Sequence, residues 1–338
     1  MKTTKAATKK RSTKQTGVFL VVMVALVPAA ILLGLGVGSM NISPVGVVRV
    51  LLFEKDTIAH QIIWNIRLPR VLVAGLVGMC LALSGAILQG VLRNPLAAPN
   101  IIGVSSGAGL AGFIILIVFP EYGRLVPAGA FCGSLSATLL VYGLAWRGGA
   151  EPFRLVLAGV AVSSLFGAGM STLMIFYPER VQGVLTFMVG GLSARSWPHF
   201  NIIWPYAALG IFTAAFLPTR LNILTLGDDI ATGLGLHVEK TRLIFIAVAS
   251  LLAASAVSVV GLLGFVGLIV PHIARRLVGP DNRTLFPASL ACGATIVILC
   301  DTIGRVVLDP VEIPVGIIMA LVGAPFFLFL LRERRMTT

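Results

Sequence analysis

The arrangement best suited to covalent chemistry is the sequence G-V-S-S-G at residues 103–107, which fits the G-x-S-x-G pattern of a serine nucleophile. His272 is a candidate general base for Ser105. That pattern works on a turn between a strand and a helix, whereas this serine opens an apolar run, where small polar residues also cap and pack. The chain has 37 glycines, so a chance match is common. We therefore do not expect an enzyme.

Residues that could bind a metal or a nucleotide are scattered along the chain. No Cys-x-x-Cys pair, no histidine at metal-ligand spacing and no carboxylate cluster occurs, so we expect neither a metal site nor a bound cofactor. The sequence also lacks G-x-x-x-x-G-K-[ST] and any Gly-Lys pair, so any ATP must be bound by another chain. The isolated thiols and imidazoles are Cys80, Cys132, Cys292, Cys300, His60, His199, His237 and His272.

The composition predicts a membrane protein. Hydrophobic residues make up 57% of the 338 residues and charged residues 12%, and the mean hydropathy is +0.98, which leaves too little polar surface for a soluble globule. The net charge of +13 could suggest nucleic acid as a partner. However, the basic residues concentrate in the N-terminal tail and in short loops between apolar runs, so we expect no nucleic-acid binding.

Ten apolar runs approach the ~20 residues needed to cross a bilayer. The eighth is the weakest, because only a few glycines separate it from the seventh. The alternative is that the seventh and eighth runs form one long broken helix. Nine spans would place the C-terminus outside. The runs are residues 18–37, 71–91, 101–119, 125–146, 155–176, 199–217, 243–262, 265–274, 285–303 and 313–331.

The distribution of charge favours ten spans. With a cytoplasmic N-terminus, ten spans put 18 of the 26 Lys and Arg residues, including the basic C-terminus, inside. We therefore predict an all-α polytopic membrane protein in a five-plus-five inverted arrangement, a topology inferred from counting alone. Its parts are a basic cytoplasmic tail (1–17), a ten-helix domain (18–332) and a second cytoplasmic tail (333–338).

Glycines recur within the predicted spans, and small residues let helices approach closely in lipid. Their common role is packing, and together they permit a compact bundle around a passage. They are Gly75, Gly78, Gly85, Gly90, Gly103, Gly107, Gly112, Gly261, Gly264 and Gly267.

A polar interruption at residues 220–242 predicts a short amphipathic helix in the cytoplasm. Asp228 and Asp229 suit a helix N-terminus, and Ile230 and Leu234 stand four apart on one face. Gly233 and the later Gly235 suit its end. From physics alone, this helix could equally rest on lipid or bind a partner protein.

Arg67, Arg70 and Arg305 flank apolar runs on the side that the positive-inside rule leaves poor in charge. Each could extend its guanidinium group to lipid headgroups, and Arg305 could pair with Asp301 four residues earlier. They could also receive the carboxylates of a docking protein.

Several ordered motifs resemble the permeases of ATP-binding cassette (ABC) importers for iron-siderophores, haem and cobalamin, the FecCD type. The resemblance covers nearly all of the chain beyond the basic tail. The motifs are I-R-L-P-R at 66–70, R-N-P-L-A at 93–97, G-V-S-S-G-A-G at 103–109, L-A-G-V at 157–160, L-G-D-D-I-A-T-G-L-G-L at 226–236, G-F-V-G-L-I-V-P-H-I-A-R at 264–275, L-C-D at 299–301 with Arg305, E-I-P-V-G-I at 312–317 and G-A-P-F-F at 323–327.

The resemblance implies a type II importer in the cytoplasmic membrane of a prokaryote, with both termini cytoplasmic. Two ten-helix permeases, identical or paralogous, would stand in membrane lipid with a cytoplasmic ATPase dimer, which binds ATP and Mg, and an extracytoplasmic substrate-binding protein. The implied substrate is an iron complex, foremost a ferric siderophore, with haem or cobalamin as the alternative. Residues 179–192 would form a short outer helix near the entrance.

The same resemblance implies roles for three groups of residues. Coupling to the ATPase would fall to Gly227, Asp228, Asp229, Ile230, Ala231, Gly233, Leu234 and Gly235. Docking of the binding protein would fall to Arg67, Arg70 and Arg305. The inner gate would be flanked by loops 93–100 and 148–154, with Arg93, Asn94, Pro95, Glu151 and Arg154.

A stand-alone secondary transporter or channel is the rival from another class. Such proteins place ionisable residues along their path. Asp301 is the only acidic residue well inside a predicted span, which disfavours coupling to protons or sodium.

Overall fold

The computed structural model describes residues 13–38, 40–54, 57–147 and 149–335. Most of the predicted N-terminal tail and the last residues of the predicted C-terminal tail lie outside this range, as does Gly148 of the predicted gate loop. In the described part, the regular secondary structure is helical, and the one exception is an isolated β-bridge between Trp146 and Ala150. The all-α prediction is confirmed.

Fifteen α-helices follow one another in the described ranges, and short π-helical or 3₁₀ turns join several of them. The first eight are α1 (Thr13–Gly36), α2 (Pro44–Leu52), α3 (Ile58–Ile62), α4 (Leu68–Val91), α5 (Val104–Phe113), α6 (Val126–Ala145), α7 (Pro152–Phe176) and α8 (Val181–Val189). The others are α9 (Trp197–Ala215), α10 (Pro218–Leu224), α11 (Asp228–Gly233), α12 (Val238–Val260), α13 (Val266–Val278), α14 (Asn282–Val306) and α15 (Val315–Arg335).

Each of the ten predicted spans coincides with a helix, although not every one has the length to cross a membrane. Six helical segments in the described residues are long and apolar enough. α9 and α10 form a seventh only as a pair bent by 63°. Two further apolar helices, Val104–Val118 and Val315–Phe329, are shorter. The polytopic fold is therefore established, while the count of ten spans and its inverted repeat stay predictions.

The seventh and eighth predicted spans are separate helices. α12 ends at Val260, and the backbone then adopts positive φ at Gly261 (84°) and at Phe265 (66°) before α13 begins. α13 has 13 residues, about 20 Å at 1.5 Å per residue, which is short of the ~30 Å hydrocarbon core.

The second predicted span is longer than expected. Helical structure runs without a break from Ile58 to Val91, whereas the apolar run predicted a start at residue 71. A π-helical turn, Ile63–Arg67, precedes Pro69, which has no backbone N–H to donate. Arg67 and Arg70 consequently lie within a continuous helix and not at its end.

α4 is the centre of the bundle, and its small residues permit contact with neighbouring backbones. In the helical span that contains α4, 83% of the 18 most apolar consecutive residues are buried. Gly78 packs on the backbone of Gly293 in α14, and Gly85 packs on Gly267 in α13. A Cβ atom at either position in α4 would overlap a carbonyl oxygen of the facing helix. The glycines predicted to allow close packing do so here.

Two short helices predicted from the sequence are present. α11 begins with Asp228 and Asp229 and ends at Gly233. Gly235 at φ 80° closes it in a Schellman motif, because the N–H of Leu236 donates to the carbonyl of Ala231. α8 corresponds to the helix expected within residues 179–192.

We expect Gly78→Ala to lower the free energy of unfolding by about 2 kcal/mol, because the new methyl group meets a backbone carbonyl that cannot rotate away. Gly75→Ala on the same helix is the control, since its added Cβ would lie 3.5 Å from the Ile298 side chain in ordinary contact. Thermal unfolding of the two purified variants in detergent compares them. Equal stability of the two would contradict the packing argument.

Candidate functional site

Charged side chains gather at the two ends of α4. One group surrounds Arg70 near the start of α4, and we name this side of the bundle the Arg70 end. The other surrounds Asp228 of α11, close to the last turn of α4, and we name it the Asp228 end.

At the Arg70 end, a buried ion pair joins α4 to α14. Nε and Nη2 of Arg70 donate to Oδ2 and Oδ1 of Asp301, each at 2.9 Å. The Arg70 and Asp301 side chains are only 8% and 3% exposed. This two-bonded geometry is the strong form of an arginine–carboxylate pair, and burial protects it from screening by salt.

A second carboxylate extends the pair to two loops. Nη1 of Arg70 donates to Oε1 and Oε2 of Glu312 at 2.9 and 3.0 Å, and Ser193 Oγ donates to Oε2 at 2.6 Å. Burial alone would raise the pKa of Glu312, but the hydrogen bonds from Arg70 and Ser193 and the positive charge of Arg70 lower it below its ordinary value. Glu312 is therefore ionised at neutral pH and links the loop before α15 to the loop before α9.

The two other arginines of this end bind backbone carbonyls at the end of α1. Nη1 of Arg67 donates to the carbonyl of Leu35 at 2.8 Å, and its Nη2 donates to that of Met40 at 2.6 Å. Nη2 of Arg305 donates to the carbonyl of Gly34 at 2.8 Å. The carbonyls of Gly34 and Leu35 belong to the last turn of α1, which leaves them without a partner inside the helix, and Met40 lies in the loop that follows.

The three arginines predicted to dock a binding protein are thus close together and buried. Arg67 is 4%, Arg70 7% and Arg305 9% exposed. The pairing of Arg305 with Asp301 that the sequence suggested is present, at 3.6 Å between Nε and Oδ2. The docking role stays a prediction. It requires an incoming carboxylate to compete with contacts that already exist within the chain.

At the Asp228 end, one carboxylate receives two arginines. Nη2 of Arg242, in α12, donates to Oδ1 and Oδ2 of Asp228 at 2.9 Å each. Nη2 of Arg93 donates to Oδ1 at 3.0 Å. The Arg242 side chain is 1% exposed, so this charge depends on its partners. Arg242 also pairs with Glu239, whose Oε2 accepts the Ala150 N–H at 2.9 Å.

This cluster joins the predicted coupling helix to both predicted gate loops. Arg93 stands immediately after α4 in a left-handed conformation (φ 49°), which turns the chain and directs it along the surface. Asn94 accepts the N–H of Leu96 at 2.9 Å and stabilises the turn that contains Pro95. Glu151 and Arg154 pair with each other at 3.4 Å on the surface and, within the described residues, make no side-chain bond to the cluster.

α11 and the residues that flank it expose apolar side chains. Leu226, Ile230 and Leu234 follow one another at intervals of four residues, and they are 55%, 55% and 61% exposed. Ala231, between them, is buried against the bundle. We name Leu226, Ile230 and Leu234 the α11 apolar face. Exposed apolar residues grouped in this way mark a surface that binds a protein or lipid.

α10 is fixed to the bundle beside α11. Asn222 Nδ2 donates to Oδ1 of Asp281 at 2.7 Å, and Asn222 Oδ1 accepts the Asn282 N–H at 3.0 Å. The hydrogen bond from the backbone N–H of Arg283, together with that from Asn222, lowers the pKa of Asp281 below its ordinary value. α10 and α14 therefore meet through an ionised cap at the start of α14.

Sequence reasoning missed four residues of these clusters: Arg242, Glu239, Glu312 and Ser193. Arg242 had counted only as a positive charge of a cytoplasmic loop. Its position three residues after Glu239 was an available signal, because i,i+3 pairs face each other on a helix. For Glu312 and Ser193, the sequence contains no comparable local signal.

The serine motif lies at the start of a helix and not on a turn between a strand and a helix. Residues 104–107 lie in α5, and Ser106 Oγ bonds the carbonyl of Gly103 at 3.0 Å and Ser163 Oγ at 3.1 Å. The ring of His272 packs against that of Phe326. Among the described residues, no group of three or more His, Cys, Asp or Glu side chains could hold a metal ion.

We expect Arg70→Met to lower the free energy of unfolding by about 3–5 kcal/mol, because it leaves Asp301 charged and buried without its main partner. The double variant Arg70→Met/Asp301→Leu should recover part of this loss. Thermal unfolding in detergent measures both, with the exposed Arg49→Met as control. If the stability loss of the double variant equalled the sum of the losses of the two single variants, the ion pair would not be stabilising.

Comparisons of the sequence and of the structure with known proteins both find transport proteins. The sequence profile of the FecCD transport family matches residues 25–333. The Fe(3+)-citrate import system permease protein YfmE of Bacillus subtilis is 40% identical over 327 residues, which covers 96% of this chain and 98% of that protein. The cobalamin import system permease protein BtuC of Halobacterium salinarum is 41% identical over 284 residues, or 83% of this chain and 76% of that protein.

A solved structure has the same fold. It is an inward-facing conformation of an ABC transporter described as of metal-chelate type, with a TM-score of 0.85 and 32% identity. The match covers 94% of this chain and 99% of the other. With the family profile matching nearly the whole sequence, the chain belongs to the FecCD transport family.

Proposed function

We propose that this chain is the membrane-spanning permease subunit of an ABC importer that carries a ferric chelate, foremost a ferric siderophore, across the cytoplasmic membrane of a prokaryote. The observation that carries the proposal is the 40% identity, along nearly all of both chains, to a permease named for ferric citrate import. Siderophores and citrate are both oxygen-donor chelators of Fe³⁺, a hard cation.

The α11 apolar face is the proposed contact for the ATPase. It combines three exposed aliphatic side chains with a rigid attachment to the bundle through Asp228 and Arg242. An interfacial helix that rested on lipid would not need an ion pair between its first residue and a buried arginine. ATP and Mg would bind to an ATPase dimer, one subunit for each of two permease chains, identical or paralogous.

The orientation in the membrane follows from this contact. The Asp228 end would face the cytoplasm together with both termini, and the Arg70 end would face the extracytoplasmic binding protein. α4 joins the two ends, and its 24 residues extend about 36 Å. Membrane lipid would surround the outward-facing helices.

The proposed mechanism is alternating access driven by the ATPase. When ATP binding closes the ATPase dimer, α11 moves with it. Because Asp228 bonds both Arg242 of α12 and Arg93 after α4, the displacement reaches the two most buried helices directly. The gate loops that contain Arg93 and Ala150 are attached to the same cluster and would shift with it.

A cobalamin permease is the second candidate for the function, because a cobalamin import permease is 41% identical to this chain. Haem remains a substrate of the same class of importer. All three use the same architecture, so only transport measurements separate them.

We expect the double variant Ile230→Ser/Leu234→Ser to lose association with the ATPase, because it removes two of the three side chains of the α11 apolar face. Lys240→Ser, an exposed change at the start of α12, is the control and should retain association. Co-purification of the ATPase with each variant measures the effect. If the double variant retained the ATPase, the α11 apolar face would be assigned to contact with lipid instead.

We expect Asp228→Asn to lower transport about tenfold while the ATPase stays bound, because the link from α11 to α12 is weakened and the α11 apolar face is intact. Tenfold corresponds to ~1.4 kcal/mol of coupling. ATP-dependent uptake into proteoliposomes is the measurement, with Lys240→Gln as control. Loss of the ATPase together with transport would mean that Asp228 supports binding and not transmission.

The importer itself is tested by uptake of radiolabelled ferric hydroxamate, ferric catecholate, haem and cobalamin into proteoliposomes with the cognate ATPase and binding protein. We expect uptake of one ferric chelate that requires both partners. Entry of a ligand without ATP or the ATPase would indicate a secondary transporter or channel.

A further inference from the structure

A cavity of about 600 Å³ opens at the Arg70 end of the bundle, apart from the buried ion pair. Its walls come from the start of α6, from α8, from the loop before α9 with the first turn of α9, and from the end of α12. This volume lies within the range of small-molecule sites, ~300–1,000 Å³. Most of its lining is apolar, and the polar side chains that matter here are Arg124, Arg195 and His199.

The lining carries positive charge and no carboxylate. Arg195 lies in the loop before α9, and Arg124 lies on the exposed turn before α6. Among the residues that line the cavity there is no Asp or Glu. In the described part of the chain, Arg195 makes no ion pair, and its Nε is buried without a hydrogen-bond partner. Burial lowers the pKa of Arg195, although a guanidinium group stays charged at any physiological pH.

His199 contacts Arg195 but does not neutralise it. Nη1 of Arg195 is 3.3 Å from His199 Nε2. Nδ1 of His199 accepts the backbone N–H of Ser196 at 3.3 Å and lies 3.2 Å from Ser196 Oγ. Since a neutral imidazole has a single acceptor nitrogen, the contact with Arg195 fixes no tautomer. The imidazole supplies no negative charge to the guanidinium group beside the cavity.

Arg195 therefore differs from Arg67, Arg70 and Arg305. Arg70 has two carboxylates, and Arg67 and Arg305 have backbone carbonyls. Arg195 is half-buried, with its Nε fully covered, so its charge is partly removed from water, and an anionic group in the cavity would offset that cost. The exposed Arg124 adds a second positive charge that attracts anions toward the opening.

We propose that this cavity binds an anionic oxygen group, with Arg195 as its counter-charge, and that the ligand is the carboxylate or catecholate periphery of an anionic ferric chelate entering from the Arg70 end. The proposal rests on the proposed function and narrows its substrate class. Ferric citrate and ferric tris-catecholates carry net negative charge, whereas a ferric tris-hydroxamate core is neutral and would gain little from Arg195.

The loop that carries Arg195 also contacts the Arg70 cluster. Ser193, two residues earlier, donates to Glu312, and the N–H of Gly191 donates to the carbonyl of Val260 at the end of α12. One loop thus joins the cavity, the Arg70 ion pair and α12. Occupancy of the cavity and docking at the Arg70 end would act on the same short segment.

The test is equilibrium dialysis of ⁵⁵Fe-labelled ferric citrate against the permease–ATPase complex in nanodiscs of zwitterionic phosphatidylcholine, without binding protein. We expect Arg195→Gln to weaken binding at least tenfold and Arg195→Lys, which keeps the charge, to restore most of it. The exposed Arg49→Gln on another element is the matched control and should bind as the unaltered protein does. A thermal unfolding midpoint equal to that of the unaltered protein verifies that each variant is folded.

Two further measurements separate the ligand sources. A ferric tris-hydroxamate is expected to bind with no dependence on Arg195. In nanodiscs with anionic phosphatidylglycerol, the dissociation constant for ferric citrate is expected to stay within a few-fold of its value in phosphatidylcholine. Arg195-dependent binding of phosphatidylglycerol, with none of the chelate, would overturn the chelate assignment, as would ferric citrate binding that is indifferent to Arg195→Gln.

Failure of this proposal is distinguishable from failure of the proposed function. If the unaltered importer takes up a ferric chelate and Arg195→Gln changes neither binding nor uptake, only the cavity assignment is wrong. If no ferric chelate is taken up with both partners present, the importer proposal itself fails.

Discussion

Burial of charge in an apolar bundle is the constraint on which most of this structure depends. A guanidinium group removed from water is tolerated only where hydrogen bonds and opposite charge replace the lost hydration. Arg70 meets this demand with Asp301 and Glu312, and Arg242 meets it with Asp228 and Glu239. Arg70 joins elements 231 and 242 residues apart, and Arg242 joins α12 to the preceding α11, so the need to satisfy a charge also fixes how helices and loops meet.

The two charged clusters differ in what they make rigid. The Arg70 cluster connects α4 to α14 and to the loops before α9 and α15, and its ion pair is sealed from solvent. The Asp228 cluster connects a surface helix to the core through a carboxylate that is 39% exposed. A contact that is half in water is weaker and easier to rearrange. The end proposed to meet the ATPase is therefore the more adaptable one, while the opposite end is the firmer.

The positions of the helices could be predicted because they follow from local composition. Apolar length identified the spans, and two aspartates followed by glycines identified α11. The partners of the arginines could not be predicted in the same way. Arg67 bonds carbonyls 27 to 32 residues away and Arg70 bonds a carboxylate 242 residues away, so their burial depends on the assembled bundle. The π-helical turn before Pro69 and the left-handed Arg93 likewise have no signal in residue type.

The contact between α4 and α14 has a consequence for how the sequence can change. Gly78 and Gly293 face each other, and the backbone of each fills the space where the other would have a side chain. In most cores, a larger residue on one side can be accommodated by a smaller one on the other. Here no smaller residue exists on either side, so neither position can drift alone and no second substitution at the partner can rescue the first. Substitutions during evolution should therefore occur at residues around this helix crossing, while Gly78 and Gly293 stay unchanged.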